Sequence, residues 1–170
     1  DGYIGVETAI GVGTTFTLYL PAFVVSGELD QPRVEGDLEL GQGEVVLIVE
    51  DNGALREALH DTLVGWGYEV REASHGGEAL ALLEEAGGEI DVVLSDVVMP
   101  GMGGAALAEA LHARGVETPL VLMSGHAETQ LLDPSSPRGT HPWLRKPLRL
   151  DELARTLRVC LLYTSDAADE

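Results

Sequence analysis

The stretch Val92–Gly104, VVLSDVVMPGMGG, limits what this chain can become more than any other. A run of apolar β-formers stops at one acid, Asp96. Two valines, Met99, Pro100 and the glycines 101, 103 and 104 follow. A buried strand that ends on a carboxylate and opens into a Gly/Pro loop sets that carboxylate at the lip of a sheet. In open α/β sheets, ligand chemistry lies at the carboxyl ends of the strands. Taken alone, such an aspartate serves equally well as a cap for the next helix, so the rest of the chain must decide.

The residues from 44 to 159 repeat one theme. Glu44–Val49 is a short apolar strand ending at Glu50-Asp51, with Asn52 as the N-cap of a helix carrying Leu55, Leu59, Leu63 and Trp66 on one face. Gly65 and Gly67 end that helix, and Tyr68–Arg71 is the second strand. Ser74 and Gly76-Gly77 lead into a helix with Ala79, Leu80 and Leu83 inward, stopped by Gly87-Gly88. Ile90–Ser95 is the third strand and Ala105–Arg114 the third helix. Pro119–Met123 is the fourth strand, ending at Ser124-Gly125. Pro142–Leu144 is the fifth, followed by Arg145-Lys146-Pro147. Asp151–Val159 closes the series as a helix with Leu153 and Leu157 inward and two acids in its first turn, where the dipole favours them. Strands that are continuous apolar runs, alternating with helices, predict a parallel sheet covered on both faces. Right-handed crossovers leave few topologies. The expected fold is α/β, a flavodoxin-like doubly wound (βα)5 sheet of strand order 2-1-3-4-5.

Composition narrows the partners. The chain has 170 residues, 45% of them hydrophobic, enough for a core. Its 29 acids against 10 basic residues give a formal charge of −19, which argues against nucleic acid or an anionic membrane as the direct partner. No apolar run reaches the length of a membrane span, and the opening residues are not expected to be a signal peptide. The single cysteine, Cys160, leaves no intrachain disulfide. Lysine also occurs once, at Lys146, against nine arginines.

In the expected sheet, the carboxyl ends of strands one, three, four and five converge on one edge. Those ends carry Glu50 and Asp51, then Asp96, Ser124 and Lys146. Each has an ordinary explanation singly: a solvated helix start, a capping serine, a surface lysine. Together, and in this order, they point to chemistry. Three neighbouring carboxylates repel, so cationic charge must stand among them. Hard oxygen donors without His or Cys at ligand spacing suit Mg2+ better than zinc. A lysine ammonium suits a phosphoryl group, and a serine hydroxyl donates to another phosphoryl oxygen. The set reads as a site for a phosphoryl group on Asp96, with the carboxylate as nucleophile and Mg2+ offsetting charge in an in-line transfer.

Five pieces of this text, VVLIVEDN, GYEVREASHGGEAL, DVVLSDVVMPGMGG, PLVLMSG and WLRKPL, make residues 44–159 resemble a response-regulator receiver domain. The resemblance implies Asp96 as phosphoacceptor. It implies Asp51 and Asp96 as direct Mg2+ ligands, Glu50 acting through water, and the Val98 carbonyl as a further ligand. Ser124 takes the place of the switch Ser/Thr. Lys146 takes the place of the family's lysine, with a cis peptide to Pro147. Trp143 takes the place of the switch aromatic, usually Tyr or Phe.

Departures from the family pattern carry expectations of their own. Gly103 stands where the loop usually has Asp, which should loosen the start of the third helix. Residues 125–142, GHAETQLLDPSSPRGTHP, leave room for only a short fourth helix, so dimerisation through that face is not expected. Arg138, His141, Arg145 and Arg149 cluster in sequence and read as a solvated loop rather than a basic binding patch. Val98 and His126 flank the approach of an attacking water, and an apolar Val98 is expected to slow phosphoryl hydrolysis.

The ends of the chain read differently. Tyr3–Thr8 and Thr15–Leu20 form a hairpin around Gly11 and Gly13. The string Asp1–Phe23, with its GVGTTF and closing Leu-Pro, resembles the last two strands of the ATP-binding domain of sensor histidine kinases. The upstream ATP-binding motifs are absent, so this piece is not expected to bind ATP. Residues 24–43 read as a linker, and 1–43 as loosely held, because a lone two-stranded hairpin is marginal. The tail CLLYTSDAADE, residues 160–170, leaves the amphipathic pattern and back-translates to a transposase sequencing adapter; these residues are expected to be non-native.

The combined expectation is a fragment of a bacterial hybrid sensor histidine kinase in a two-component phosphorelay. Its receiver accepts a phosphoryl group on Asp96 from a phosphohistidine, in the same polypeptide, and passes it to a phosphotransfer His domain. The fragment lacks the ATP-binding core and catalyses only its own aspartyl phosphorylation and dephosphorylation. The expected location is cytoplasmic, with the parent protein anchored through a missing N-terminal region. Two alternatives stand beside this. One is a receiver that regulates by docking without being phosphorylated. The other is an aspartyl-phosphate phosphatase, which would want an acid where Val98 stands.

Overall fold

The computed structural model describes residues 2–20, 41–125 and 141–167, with side chains of the final helix described to residue 162. The chain divides into two compact units, residues 1–33 and 34–170.

In the first unit β1 (Tyr3–Ala9) and β2 (Gly13–Tyr19) form the expected antiparallel hairpin, in register from Tyr3 opposite Tyr19 to Ala9 opposite Gly13. The Val12 amide donates to the Ala9 carbonyl at 3.1 Å, closing a turn whose Gly11 and Gly13 take positive φ. Side chains alternate across a strand pair. The register therefore places Ile4, Val6, Phe16 and Leu18 on one face, and all four are exposed. The other face carries the stacked rings of Tyr3 and Tyr19, their centroids 5.3 Å apart.

The second unit is built from β3 (Val45–Val49), α1 (Gly53–Gly65), β4 (Glu69–Ala73), α2 (Gly76–Ala86), β5 (Val92–Asp96), α3 (Gly104–Ala113), β6 (Leu120–Ser124), β7 (Trp143–Arg145) and α4 (Leu150–Ala167). All adjacent strands pair in parallel, in the order β4-β3-β5-β6-β7, which is the anticipated 2-1-3-4-5 arrangement. The continuous apolar runs are explained by two cores. Val46, Ile48, Val92, Leu94, Val121 and Met123 face Leu59 and Leu63 of α1 and Leu153 and Leu157 of α4. Leu47, Val49, Val93, Leu120 and Leu122 face Ala79 and Leu80 of α2 and Leu107 and Leu111 of α3. Alternate strand residues thus feed opposite layers, so a polar residue anywhere in β3, β5 or β6 would be buried on one side or the other.

Element boundaries shift in ways that matter for function. β5 extends one residue past Ser95, so Asp96 is itself its final residue. α4 starts at Leu150 and continues to Ala167 rather than ending at Val159. Cys160 and Leu161 follow Leu153 by seven and eight residues, fall on the same helical face and join the first core. Residues 41–43, at the end of the expected linker, belong to the second unit, where the Gly43 amide donates to the Gly67 carbonyl at 3.0 Å. The rest of that linker, the short fourth helix, His126 and Arg138 lie outside the described residues. Among the other cationic residues of that cluster, burial, followed by the nearby His112 charge, pushes His141 below its usual range, and Arg149 pairs with Asp151.

Asn52 caps α1 as anticipated, its side chain accepting the Leu55 amide at 3.1 Å. At α2 the cap is His75, whose Nδ1 accepts the Glu78 amide at 3.1 Å, while the Glu78 carboxylate accepts the Ser74 amide and hydroxyl, both at 2.7 Å. α3 starts at Gly104 behind Gly103, which offers no side-chain cap. The loop is folded tightly there, and a Cβ on Gly103 would run into the Val97 carbonyl. An aspartate at 103 would gain a cap worth about 1 kcal/mol but force the backbone aside, at a cost of about 1–3 kcal/mol. Gly103→Asp is therefore expected to leave stability unchanged or lower it in urea unfolding, and a gain near 1 kcal/mol would contradict this packing.

Candidate functional site

Five sequence-selected side chains come from four strand ends, and the sheet order decides their meeting. β3 and β5 are neighbours, with Val49 opposite Ser95. The next residues along, Glu50 and Asp96, therefore emerge side by side. β6 lies on the other side of β5, Asp96 opposite Met123, which brings Ser124 to the same edge. β7 pairs with β6 up to Ser124 opposite Arg145, and the Lys146 amide donates to the Ser124 carbonyl at 2.8 Å. Lys146 is thereby delivered to the edge that carries the acids. Its peptide to Pro147 is cis.

Glu50, Asp96 and Ser124 are almost entirely buried, at 1%, 8% and 4% exposure, while Asp51 is exposed. The Lys146 ammonium lies between two carboxylates, donating to Glu50 Oε2 and Asp96 Oδ2, each at 2.8 Å. Burial of Lys146 works to lower its pKa, but its hydrogen bonds to Asp96 and Glu50 and their charges outweigh that, and the net shift is upward. The other oxygens are held from the backbone. Glu50 Oε1 accepts the Asn52 amide at 3.2 Å, and Asp96 Oδ1 accepts the Val98 amide at 3.3 Å. One carboxylate oxygen each from Glu50, Asp51 and Asp96 lies within 4.8 Å of the other two. Asp51 makes this an open cluster with solvent on one side.

Val98 approaches Asp96 through its backbone, while its side chain is 64% exposed beside the site. Trp143 sits on edge strand β7, packed against the core layer formed with α2 and α3. It is three residues before Lys146 and opposite Leu122, two before Ser124.

The loop after Asp96 is clamped at both ends. A Cβ on Gly104 would sit 2.5 Å from the Asp96 carbonyl oxygen, so only glycine allows α3 to start so close to the strand end. The Gly76 amide donates to the Met102 carbonyl at 2.9 Å, tying the same loop to the start of α2.

Sequence reasoning did not single out Arg56. Its Nη1 donates to the Glu50 carbonyl at 2.6 Å, and its Nε to Glu72 at 3.0 Å. The available signal was its position on the first turn of α1, four residues after Asn52, in reach of the β3 end.

Comparison with known proteins agrees with this geometry. Residues 46–158 match the response regulator receiver domain family. The chain is 35% identical over 167 residues to the sensor kinase CckA of Brucella abortus, covering 94% of this chain and 18% of that protein. It is 32% identical over 147 residues to the sensor histidine kinase RcsC of Salmonella typhi, covering 82% of this chain and 15% of that one. The chain thus spans less than a fifth of these curated relatives. Among solved structures, the receiver domain from the hybrid histidine kinase CckA superposes with a TM-score of 0.56 at 37% identity, covering 69% of this chain and 98% of that one. Chemotaxis protein CheY4 of Vibrio cholerae superposes with a TM-score of 0.63 at 32% identity, covering 70% and 99%. A five-stranded parallel sheet with an acidic cluster and a lysine at one edge, matched by that family over the whole second unit's sheet, leaves one assignment: the chain belongs to the response regulator receiver domain family.

Proposed function

We propose that this chain is the receiver of a hybrid sensor histidine kinase, and that it accepts a phosphoryl group on Asp96. The observation that carries the proposal is the Lys146 ammonium held at 2.8 Å from both Glu50 and Asp96, with Asp51 beside them. In the transfer, an Asp96 carboxylate oxygen forms the new bond to phosphorus. The phosphorus–nitrogen bond of a phosphohistidine breaks, and the imidazole leaves with the electron pair and takes up a proton. Lys146 is already protonated and already at Asp96, so it can follow the growing phosphoryl charge with little reorganisation. Ser124, at the next strand end, is the donor for a phosphoryl oxygen, and Trp143 is the aromatic that reports the change along β7.

The donor set fits Mg2+. Three carboxylates offer hard oxygens in an open cluster, and no His or Cys joins them among the described residues. On this reading Asp51, Asp96 and the Val98 carbonyl would hold the ion, and Glu50 would act on it through water. Bound there, the ion supplies positive charge against the oxygens of the transferred group.

The donor histidine belongs, on this reading, to the parent kinase, and a phosphotransfer His domain is the onward acceptor. Similarity to CckA over 167 residues reaches beyond the receiver, which supports the hybrid arrangement and the reading of residues 1–23 as the end of a kinase domain. Among the described residues no helix is long and apolar enough to cross a membrane. No observation favours a purely docking receiver, since the acids and Lys146 are all in place. A phosphatase would need an acid two residues after Asp96, where an apolar valine stands.

Incubation with labelled acetyl phosphate or phosphoramidate and Mg2+ tests the acceptor. Wild type takes up acid-stable, base-labile label and Asp96→Asn takes up none; label retained in the variant overturns the assignment. On chasing, Val98→Asn loses its label faster than wild type, because a polar side chain there admits and orients water; equal lifetimes would remove that role.

Lys146 gives a pH test. Its folded-state pKa is raised above the ordinary 10.5. Its stabilising contribution is therefore fully present below the unfolded value and is lost as pH rises through the folded one. The stability gap between wild type and Lys146→Met in urea unfolding should be fully present below pH 10.5 and should narrow as the pH rises above it. A gap that does not change with pH would place the ammonium elsewhere.

A further inference from the structure

We infer that Arg56 is a positioning residue for the acidic pocket, acting through the backbone of Glu50. The inference rests on the reading of the pocket as a Mg2+ and phosphoryl site. It starts from a conflict in local geometry. Successive residues of a strand point to opposite faces, yet the carboxylates of Glu50 and Asp51 both reach Asp96. The chain must therefore leave the strand conformation at this pair. The turn takes the Glu50 carbonyl out of the ladder with β4. The Glu50 amide still donates to Ala73 at 3.1 Å, the last backbone bond of that pairing. A polar carbonyl at a nearly buried residue needs another donor, and Arg56 Nη1 supplies it at 2.6 Å.

The guanidinium is itself aimed by the neighbouring strand. Its Nε donates to Glu72 Oε2 at 3.0 Å, at the carboxyl end of β4. The other oxygen of Glu72 lies 2.7 Å from Nδ1 of His60, one helical turn after Arg56. One limb of Arg56 thus holds a carboxylate of β4, and the other fixes the peptide between Glu50 and Asp51. A rigid, planar donor suits this task, because two separate acceptors must be met at once. The same peptide links the buried acid, which meets Lys146, to the exposed one, which meets solvent. Rotation about it would carry Asp51 away from the cluster without touching Asp96 or Lys146.

Arg56→Met keeps much of the side chain's bulk and removes both bonds. Titration of the purified protein with MgCl2 by calorimetry should show the Kd weakened about tenfold or more, the range for partners that orient metal ligands. Arg56→Lys, which keeps one donor, should fall between that variant and wild type. A second readout needs no metal. The Asn52 amide, which donates to Glu50 Oε1, should exchange with solvent about tenfold faster in Arg56→Met, while the Leu94 amide in the central strand keeps its wild-type rate. Wild-type Kd and wild-type Asn52 exchange in folded Arg56→Met would overturn the inference. Should that variant not fold, Glu72→Leu carries the test, since it frees the guanidinium from its aim; wild-type values there overturn the inference equally. A wild-type protein that binds no Mg2+, with Asn52 exchange still accelerated in the variant, would leave the positioning role standing and refute the metal reading instead.

Discussion

The acidic edge of the second unit's sheet depends on one cation. Three carboxylates converge at the carboxyl edge of the sheet, two of them nearly buried, and the Lys146 ammonium stands against both buried ones at hydrogen-bond distance. A buried charge pair is a weak source of net stability, because desolvation offsets much of the attraction. Its value here lies in what it permits. Carboxylates this close repel one another unless a positive charge intervenes. With Lys146 in place, both buried acids have a positive partner at hydrogen-bond distance. On the proposed reading, the same ammonium meets the charge that arrives with a phosphoryl group.

That meeting is a product of topology rather than of local sequence. Glu50 and Lys146 are 96 positions apart. They meet because β3 and β6 flank β5 and because β7 continues the sheet beyond β6. The two cores hold these strands in register, and the glycines after Asp96 let the following loop fold back against the strand end. Arg56 adds the local device that lets consecutive acids share one pocket. The edge therefore draws on side chains from the residues just after β3 and β7, from the last residues of β5 and β6, and from α1.

Much of this was legible in the chain. Continuous apolar runs such as VVLIV, alternating with helices, pointed to strands buried on both faces, and right-handed crossovers left few orders for the sheet. Asp96, Ser124 and the Glu50-Asp51 pair were legible as strand-terminal polar residues in an otherwise apolar context. Lys146 stood out because the chain has no other lysine. Less legible were features whose cause is three-dimensional. Arg56 is one arginine among nine, and its role appears only when the β4 end lies beside α1. Gly103 was legible as a missing side-chain cap, but not that a Cβ there would meet the Val97 carbonyl. The end of α4 was missed because the change of composition after Val159 masks an apolar face that continues through Cys160 and Leu161. In the hairpin, strand alternation was readable, but its exposed apolar face needs the register to be seen.

The central claim is that four chain-distant segments form one cation-binding, phosphoryl-accepting pocket. Titrating Mg2+ into the 15N-labelled protein and following amide resonances tests it most directly. The account predicts that the signals of Asp51, Asn52, Asp96, Val98, Ser124 and Lys146 move together along one saturable curve, while those of the hairpin stay still. Shifts at Asp96 without any at Asp51 or Lys146, or movement confined to other acidic surfaces, would contradict it.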